Sequence, residues 1–208
     1  MSKHPAHYVG ASTNERSEGD FYETPESATL ALLEQLKLEL PDQWLARDAV
    51  WEPAAGKGAI ASVLRANGLE CFATDKFDRM PEETAFFSVD FFGAAAEKFA
   101  KRGNFKTIIT NPPYRVKQDG KWISVEDWIT RAFEFPSVED VFLLLKTTAL
   151  AGQARSLVME RHLWHVWQFR GRVAMLRDGV PQQNMIDFAW MWFRREESNG
   201  FATISWID

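Results

Sequence analysis

The fold of this chain is decided by KTIITNPPY, residues 106–114. The β-branched centre of this stretch, Ile108 and Ile109, predicts a buried parallel strand. The two prolines that follow cannot extend a strand or open a helix interior, so the chain must turn there. Asn111 is therefore predicted to lie at the carboxyl end of a strand, where open α/β sheets gather their ligands.

The turn after this strand carries hydrogen-bond acceptors that suit an amine. The Asn111 carboxamide oxygen and the Pro112 carbonyl, in a turn that Pro113 stiffens, would both accept from an NH2 group. An amine conjugated to a ring is a poor nucleophile because its lone pair is delocalised, and two acceptors would aim that lone pair at an electrophile. Tyr114 would stack on the ring. Taken alone, the four residues are also compatible with an ordinary turn.

Composition indicates an ordinary globular protein. The 208 residues suit one domain, with 46% hydrophobic and 25% charged residues. We expect a flexible polar lead at residues 1–19 and a single domain over residues 20–208. Cys71 is the only cysteine and no Cys/His cluster has zinc spacing, which predicts a metal-free site in a reducing compartment. With no apolar run at the start, we expect a cytoplasmic protein without a membrane partner.

Charge is unevenly distributed along the chain. The net charge of -5 argues mildly against a nucleic-acid partner. Residues 1–50 hold four basic and nine acidic residues, whereas residues 146–177 hold six basic residues and one acidic residue. The second segment predicts a local basic face that is suited to nucleic acid.

Acidic residues end the other predicted strands. Glu52 follows a strand and precedes a turn in which Gly56 and Gly58 let the backbone approach a ligand, and an acid there suits a cationic group. Asp75 ends the second strand about 20 residues after the glycines, where it can accept from both hydroxyls of a ribose. Asp90 ends the third and could accept from an adenine amino group. Each position is ambiguous alone, but their order and spacing together are hard to reach by chance.

These positions resemble a known family. With FYETP at residues 21–25 and EPAAGKG at residues 52–58, they resemble the class I S-adenosylmethionine-dependent methyltransferases. The Asn-Pro-Pro-Tyr form is similar to the gamma-order DNA adenine-N6 enzymes, over about residues 20–114. The resemblance implies a Rossmann-like α/β fold, with a seven-stranded, mostly parallel sheet and a C-terminal antiparallel hairpin. It also implies S-adenosylmethionine as cofactor and direct methyl transfer to a flipped-out adenine.

The resemblance assigns roles to individual residues. Thr24 would bind the methionine carboxylate, Glu52 would lie near the methionine amino end, and Phe91 would cover the adenine face. The implied cofactor contacts are Tyr22, Thr24, Glu52, Pro53, Ala55, Gly56, Gly58, Asp75, Lys76, Asp90, Phe91 and Asn111. The implied catalytic residues are Asn111, Pro112, Pro113 and Tyr114. The expected substrate contacts are Tyr114, Arg115, Lys117, Lys121, Lys146, Arg170 and Arg172.

The remaining sequence predicts the other elements. Thr24 followed by Pro25 predicts a helix start, with the Thr24 hydroxyl as the cap, and Pro41 ends that helix. Residues 115–122 are expected to form a polar loop beside the target pocket. The other predicted elements are helices at residues 125–135 and 149–161, strands at residues 138–145 and 163–169, and a closing antiparallel hairpin from residues 185–193 and 201–206.

The chain departs from the gamma-order enzymes because it ends soon after its last predicted strands, without the usual target-recognition domain. We therefore expect low sequence specificity, as in small phage-borne adenine methyltransferases, in a monomer or weak dimer in the cytoplasm of a bacterial host cell. DNA is favoured over RNA as the substrate. RNA amino-methylation, glutamine-N5 methylation of a protein, and a non-catalytic nucleic-acid-binding module remain as alternatives.

Overall fold

The computed structural model describes residues 22–40, 49–79, 86–114, 116–118, 120–152, 156–182 and 186–208. The predicted lead at residues 1–19 therefore lies outside the described residues. The strands are β1 (Val50–Glu52), β2 (Cys71–Asp75), β3 (Phe86–Ser88), β4 (Thr107–Thr110), β5 (Val116–Gln118), β6 (Lys121–Ile123), β7 (Asp140–Lys146), β8 (Leu163–Phe169), β9 (Leu176–Arg177), β10 (Val180–Pro181), β11 (Phe188–Arg194) and β12 (Thr203–Ile207). The α-helices are α1 (Glu26–Glu39), α2 (Ala59–Ala66), α3 (Ala94–Gly103), α4 (Val125–Glu134) and α5 (Ser156–His162).

One eight-stranded sheet carries the site, in the order β12-β8-β11-β7-β4-β1-β2-β3. The chain enters near the middle at β1, runs outward to β3, and then crosses back to β4 on the other side of β1. That reversal between β1 and β4 is a topological switch point, and ligands of doubly wound sheets bind beside it. Since β1, β2, β3, β4 and β7 pair in parallel, their carboxyl ends share one edge. The predicted Rossmann-like α/β fold is confirmed.

The predicted C-terminal hairpin and strand count are wrong. β11 lies between β7 and β8 and is antiparallel to both, while β12 pairs in parallel with β8 at the sheet edge and makes an eighth strand. Burial explains the order. β11 is almost entirely buried, as a central strand must be, whereas β12 exposes Ile204 and Trp206 and fits an edge position.

The core has two parts, one on each face of the sheet. Ile109 packs in one part with α1 and α2, and Ile108 packs in the other with Trp51 and Phe105. Successive side chains of a strand point to opposite faces. Both isoleucines are almost inaccessible, with 1% exposure for Ile108 and 0% for Ile109. The prediction that β4 is a buried strand is confirmed.

Helix α1 begins differently from the prediction. Its N-cap is Pro25, which has extended backbone angles and makes no side-chain capping bond. The Thr24 hydroxyl is instead used in a tertiary contact. Two indoles dock the helix on the sheet: Trp190 donates to the Ala28 carbonyl at 2.7 Å and Trp167 donates to the Glu39 carboxylate at 3.0 Å.

Two further elements differ from the sequence expectation. The predicted loop at residues 115–122 contains an antiparallel hairpin formed by β5 and β6. In place of one helix at residues 149–161, a 3-10 turn at Thr147–Leu150 precedes the shorter α5. In the described ranges, no helix combines the length and apolar character needed to cross a membrane.

Candidate active site

Two carboxylates mark the ends of β1 and β2. Glu52 is 1% exposed, and its Oε2 accepts from the Ala61 N–H of α2 at 2.8 Å. Asp75 is 7% exposed; its Oδ2 accepts from the Gly56 N–H and its Oδ1 from the Phe77 N–H, both at 2.8 Å. These backbone donors fix both carboxylates. Because each carboxylate oxygen has a second lone pair, the acids can still accept from a ligand.

Electrostatics at this end of the sheet favour a cation. Burial raises the pKa of the Glu52 carboxyl well above its ordinary value; the Ala61 N–H and Arg65 oppose the rise, and nearby Asp75 adds to it. A positive ligand group beside Glu52 would stabilise its ionised form. A buried acid pair at a glycine turn is therefore better suited to an ammonium or sulfonium group than to a phosphate.

The glycine turn between β1 and α2 holds its shape through positive backbone angles. Gly56 has φ of 57° and Gly58 has φ of 80°, which residues with a Cβ rarely adopt. The Ala55 N–H donates to the Thr74 carbonyl at 3.0 Å, joining the turn to β2. Pro53 is buried beside it. The predicted cofactor residues of this turn are thus gathered around Asp75.

The third acidic position is present, but its aromatic neighbour is not available as expected. Asp90 accepts from the Phe92 N–H at 3.0 Å and lies 3.5 Å from the Lys76 ammonium. Phe91 is 2% exposed and stacks on Trp128, with ring centroids 4.7 Å apart. Its ring belongs to the core, so the expectation that it covers an adenine is wrong. Phe91 is followed directly by Phe92, and the sequence pattern does not show which of the two rings points inward.

Phe77 is an aromatic residue that sequence reasoning missed. It follows Asp75 by two residues, donates its N–H to that carboxylate, and is 42% exposed. The Arg79 guanidinium lies 4.7 Å from its ring centroid and 3.5 Å from Asp75. A bulky apolar side chain exposed directly after a strand-end acid is the sequence signal that identifies it.

Asn111 is held by two other side chains at the end of β4. Its Nδ2 donates to the Thr24 hydroxyl at 3.1 Å, and its Oδ1 accepts from the Tyr114 hydroxyl at 2.9 Å. Thr24 is 5% exposed. The two contacts together define which end of the carboxamide is the acceptor. Pro112 is buried and Pro113 exposed in the turn that follows.

Tyr114 lies against the sheet. Its hydroxyl is 2.9 Å from both the Leu144 carbonyl and Asn111 Oδ1, and one phenol proton serves the two acceptors. Burial raises the pKa of the Tyr114 phenol, so the hydroxyl stays protonated. The Lys146 ammonium, at the end of β7, lies 4.8 Å from the ring centroid. Lys146 thus lies at the same edge of the sheet as Asn111, because β4 and β7 are parallel.

Sequence reasoning also missed the contribution of the β9–β10 hairpin. Glu23 and Leu176 exchange backbone hydrogen bonds at 2.8 and 2.9 Å, which pins the segment before α1. Met175 Sδ lies 3.9 Å from Asn111 Nδ2. The hairpin turn, Asp178-Gly179, has positive φ at both residues, and an Asp-Gly pair between short strands is the signal that predicts it.

The predicted substrate contacts are spread around this edge. Lys117 and Lys121 lie on the β5–β6 hairpin. Arg170 and Arg172 follow β8 on the surface, 3.3 Å from Asp208 and 3.7 Å from Asp187. Arg115 lies outside the described residues, and Tyr22 packs beside the core near α1. Within the described ranges, no group of His, Cys, Asp and Glu side chains is arranged to hold a metal ion.

No protein-family model and no curated protein sequence matches this chain. Solved structures match its fold. A chain of the DrdV–DNA complex superposes with a TM-score of 0.57 and 15% identity, over 91% of this chain and 28% of that chain. A protein from a study of disulfide-to-thioacetal conversion in echinomycin biosynthesis superposes with a TM-score of 0.54 and 13% identity, over 84% and 82% of the two chains.

A SAM-dependent methyltransferase from Agrobacterium tumefaciens superposes with a TM-score of 0.47 and 16% identity, over 83% of this chain and 63% of that chain. The chain thus spans about a quarter of the DrdV chain and less than two thirds of the Agrobacterium chain. The likeness to the two structures with TM-scores above 0.5, at 15% and 13% identity, establishes the fold alone.

Proposed function

We propose that this protein is an S-adenosylmethionine-dependent methyltransferase that methylates the N6 amino group of adenine in DNA. The observation that carries the proposal is the Asn111 carboxamide, fixed by Thr24 and Tyr114 at 3.1 and 2.9 Å. It lies at the switch point of the sheet, on the same edge as the acids Glu52 and Asp75. An amine acceptor site beside a cation site is what methyl transfer from a sulfonium to an amine requires.

The residues present fit the cofactor. Asp75 would accept from the ribose hydroxyls through the lone pairs that Gly56 and Phe77 leave open. Glu52 would lie near the methionine amino end. We further propose that Phe77, rather than Phe91, packs on the adenine, because Phe77 is exposed beside Asp75. Asp90 would accept from the adenine amino group, with Lys76 close to it.

Thr24 can serve both halves of the site. Its hydroxyl oxygen accepts from Asn111 Nδ2, while its own proton remains available to donate to the methionine carboxylate. The role that the sequence resemblance implies for Thr24 is therefore compatible with its contact to Asn111. One buried hydroxyl would couple the position of the cofactor to the orientation of the acceptor amide.

The chain's own residues position the amine. When bound, S-adenosylmethionine supplies an electrophilic methyl group on a sulfonium. Asn111 Oδ1 has two lone pairs, one of which Tyr114 engages, so it can accept from an NH2 group together with the Pro112 carbonyl. These bonds favour a nitrogen whose lone pair is directed at the methyl carbon. Neither acceptor is basic, so the proton released from the methylated nitrogen passes to water.

The target base would contact Tyr114. The Lys146 ammonium covers one face of that ring. Because the lysine side chain is long and flexible, it can move aside when a flat base stacks there, and its ammonium can then contact a phosphate. In a duplex, the base must first leave the stack. The fold is compatible with a DNA partner, since the DrdV chain that shares it was solved with DNA. We propose low sequence specificity, with residues 20–208 as one catalytic domain.

The test is incubation of the protein with methyl-labelled S-adenosylmethionine and, separately, DNA, RNA and a release-factor protein, followed by nucleoside and amino-acid analysis. We expect labelled N6-methyladenine from DNA, and a yield lower by about 100-fold or more with Asn111→Ala. Label confined to RNA or to glutamine would overturn the DNA assignment. Sequencing of the methylated DNA tests specificity, and modification confined to one long motif would contradict the proposal of low specificity.

A further inference from the structure

The β5–β6 hairpin presents an aromatic ring next to a lysine. Lys117 and Trp122 are cross-strand partners, and the Lys117 ammonium lies 4.8 Å from the centroid of the indole. Trp122 is 55% exposed. Lys121 precedes Trp122 on the same strand, so its side chain points to the opposite face of the hairpin. An exposed tryptophan beside a cation is a combination that binds single-stranded nucleic acid, with the ring stacking on a base and the lysine meeting a phosphate.

The base of this hairpin is firmly attached. Ile123 packs against the core, and Ser124 forms a capping box with Asp127 at the start of α4. Lys121 lies 3.6 Å from the Asp127 carboxylate. Because strand β6 leads directly into this capped helix, Trp122 is presented from a fixed support.

The hairpin also lies within reach of the acceptor site. Lys117 is three residues from Tyr114, so their Cα atoms are at most about 11 Å apart. Trp122 lies one strand spacing, about 5 Å, beyond Lys117. A nucleic-acid strand advances about 3.4 Å per stacked nucleotide. The indole is therefore placed within a few nucleotides of a base held at Asn111.

We propose that Trp122 stacks on a base within a few nucleotides of the target in the strand being methylated, with Lys117 contacting an adjoining phosphate. This inference rests on the proposed function, because it takes the nucleic-acid strand to enter at Asn111. Flipping the target opens its neighbours, and an indole would hold the opened strand. Stacking on a π-face is tolerant of sequence, which agrees with low specificity.

The experiment measures binding of a fluorescein-labelled single-stranded oligonucleotide by anisotropy, with S-adenosylhomocysteine present. Trp122→Ala is expected to raise the Kd by about 5- to 100-fold, and Trp122→Phe by less. Lys117→Ala is expected to reduce the slope of log Kd against log salt by about one. The matched control is Trp206→Ala on the edge strand β12, which removes an indole of similar exposure, 60%, and should leave the Kd unchanged.

Failure of this inference is distinguishable from failure of the proposed function. If wild-type protein methylates DNA while Trp122→Ala binds and methylates it normally, the inference is wrong and the function stands. If wild-type protein binds the oligonucleotide through Trp122 but transfers no methyl group, the stacking contact stands and the function is wrong. Equal losses in Trp122→Ala and Trp206→Ala would indicate general damage and overturn the assignment. Preferential binding to lipid vesicles over the oligonucleotide would do so as well.

Discussion

The two halves of the proposed site are built in different ways. In the proposed cofactor half, Glu52 and Asp75 accept from backbone N–H groups that are 9, 19 and 2 residues away. In the proposed acceptor half, Asn111 contacts Thr24 across 87 residues and Met175 across 64. The two acids of the first half and their donors lie within one strand–helix–strand unit and the turn that follows it. The second exists only when the segment before α1 and the β9–β10 hairpin are both docked, so distant substitutions should affect it more.

The largest expected effect tests the acceptor half directly. Asn111→Ala removes the amine acceptor, and we expect methyl transfer to fall about 100-fold or more, as when an oxyanion-hole donor is removed. Cofactor affinity should fall much less than the rate of transfer, because Asp75 and Glu52 are untouched. Single-turnover transfer of labelled methyl, alongside calorimetry of cofactor binding, measures both.

Asn111→Asp is the matched variant, because it keeps an acceptor oxygen while losing the Nδ2 donor to Thr24. It should retain more activity than Asn111→Ala. Unchanged transfer in Asn111→Ala would remove Asn111 from the acceptor site, whereas absence of transfer in the wild type would favour a non-catalytic nucleic-acid-binding module. Circular dichroism of both variants checks that the sheet remains folded.

The second-largest expected effect is a weakening of cofactor binding when Asp75 is changed. Asp75→Asn places an NH2 group against the N–H of Gly56 or Phe77, leaving one buried donor without an acceptor. We expect the Kd for S-adenosylmethionine to rise about 10- to 100-fold, since hydrogen bonds to charged groups contribute about 1.5–3 kcal/mol. The exposed neighbour Asp78 supplies the control: Asp78→Asn should bind the cofactor normally. Equal binding by Asp75→Asn and wild type would remove Asp75 from the cofactor site.

Sequence predicts the strand ends well because their signals are local. A buried β-branched run, a glycine turn and strand-end acids all act within a few residues, and they correctly give β4 as a buried strand and Glu52 and Asp75 as the last residues of β1 and β2. The acceptor half is less predictable. A hydroxyl before a proline predicts a helix cap, but Asn111, which is remote in sequence, takes the Thr24 hydroxyl instead.

The sequence pattern also leaves two features undetermined: whether the ring of Phe91 enters the core, and where β11 lies in the strand order. Two adjacent phenylalanines do not reveal which ring enters the core, and the structure buries Phe91 against Trp128. The apolar stretch of β11 predicts a strand but not its neighbours, and only the packed sheet shows that it inserts between β7 and β8. Strand order depends on contacts that a sequence pattern does not specify.

A moderate loss of rate is expected when the hydrogen bond between Asn111 and Thr24, which joins the two halves of the proposed site, is removed. Thr24→Val keeps the shape of the side chain but removes the hydroxyl that orients Asn111. Loss of this bond should lower the single-turnover rate by about 10-fold, and the Kd for the cofactor should rise as well if Thr24 binds its carboxylate. Thr24→Ser keeps the hydroxyl and should stay close to wild type. Equal damage in both variants would assign the role of Thr24 to packing.

The smallest expected effect concerns stability. Because burial raises the pKa of Glu52 in the folded protein, its contribution to stability is fully present below the ordinary carboxyl range and is lost as pH rises through the raised pKa. Glu52→Gln removes this titration while keeping an acceptor for the Ala61 N–H. Without cofactor, the variant should therefore melt above wild type at about pH 8, by about 2–4 °C for each kcal/mol gained, and the difference should shrink towards about pH 5. The same variant should bind S-adenosylmethionine more weakly, since it lacks the charge that faces the cationic end. A melting difference that is constant across this pH range would show that Glu52 does not titrate as its burial implies, and unchanged binding of S-adenosylmethionine by Glu52→Gln would remove Glu52 from the proposed cation site.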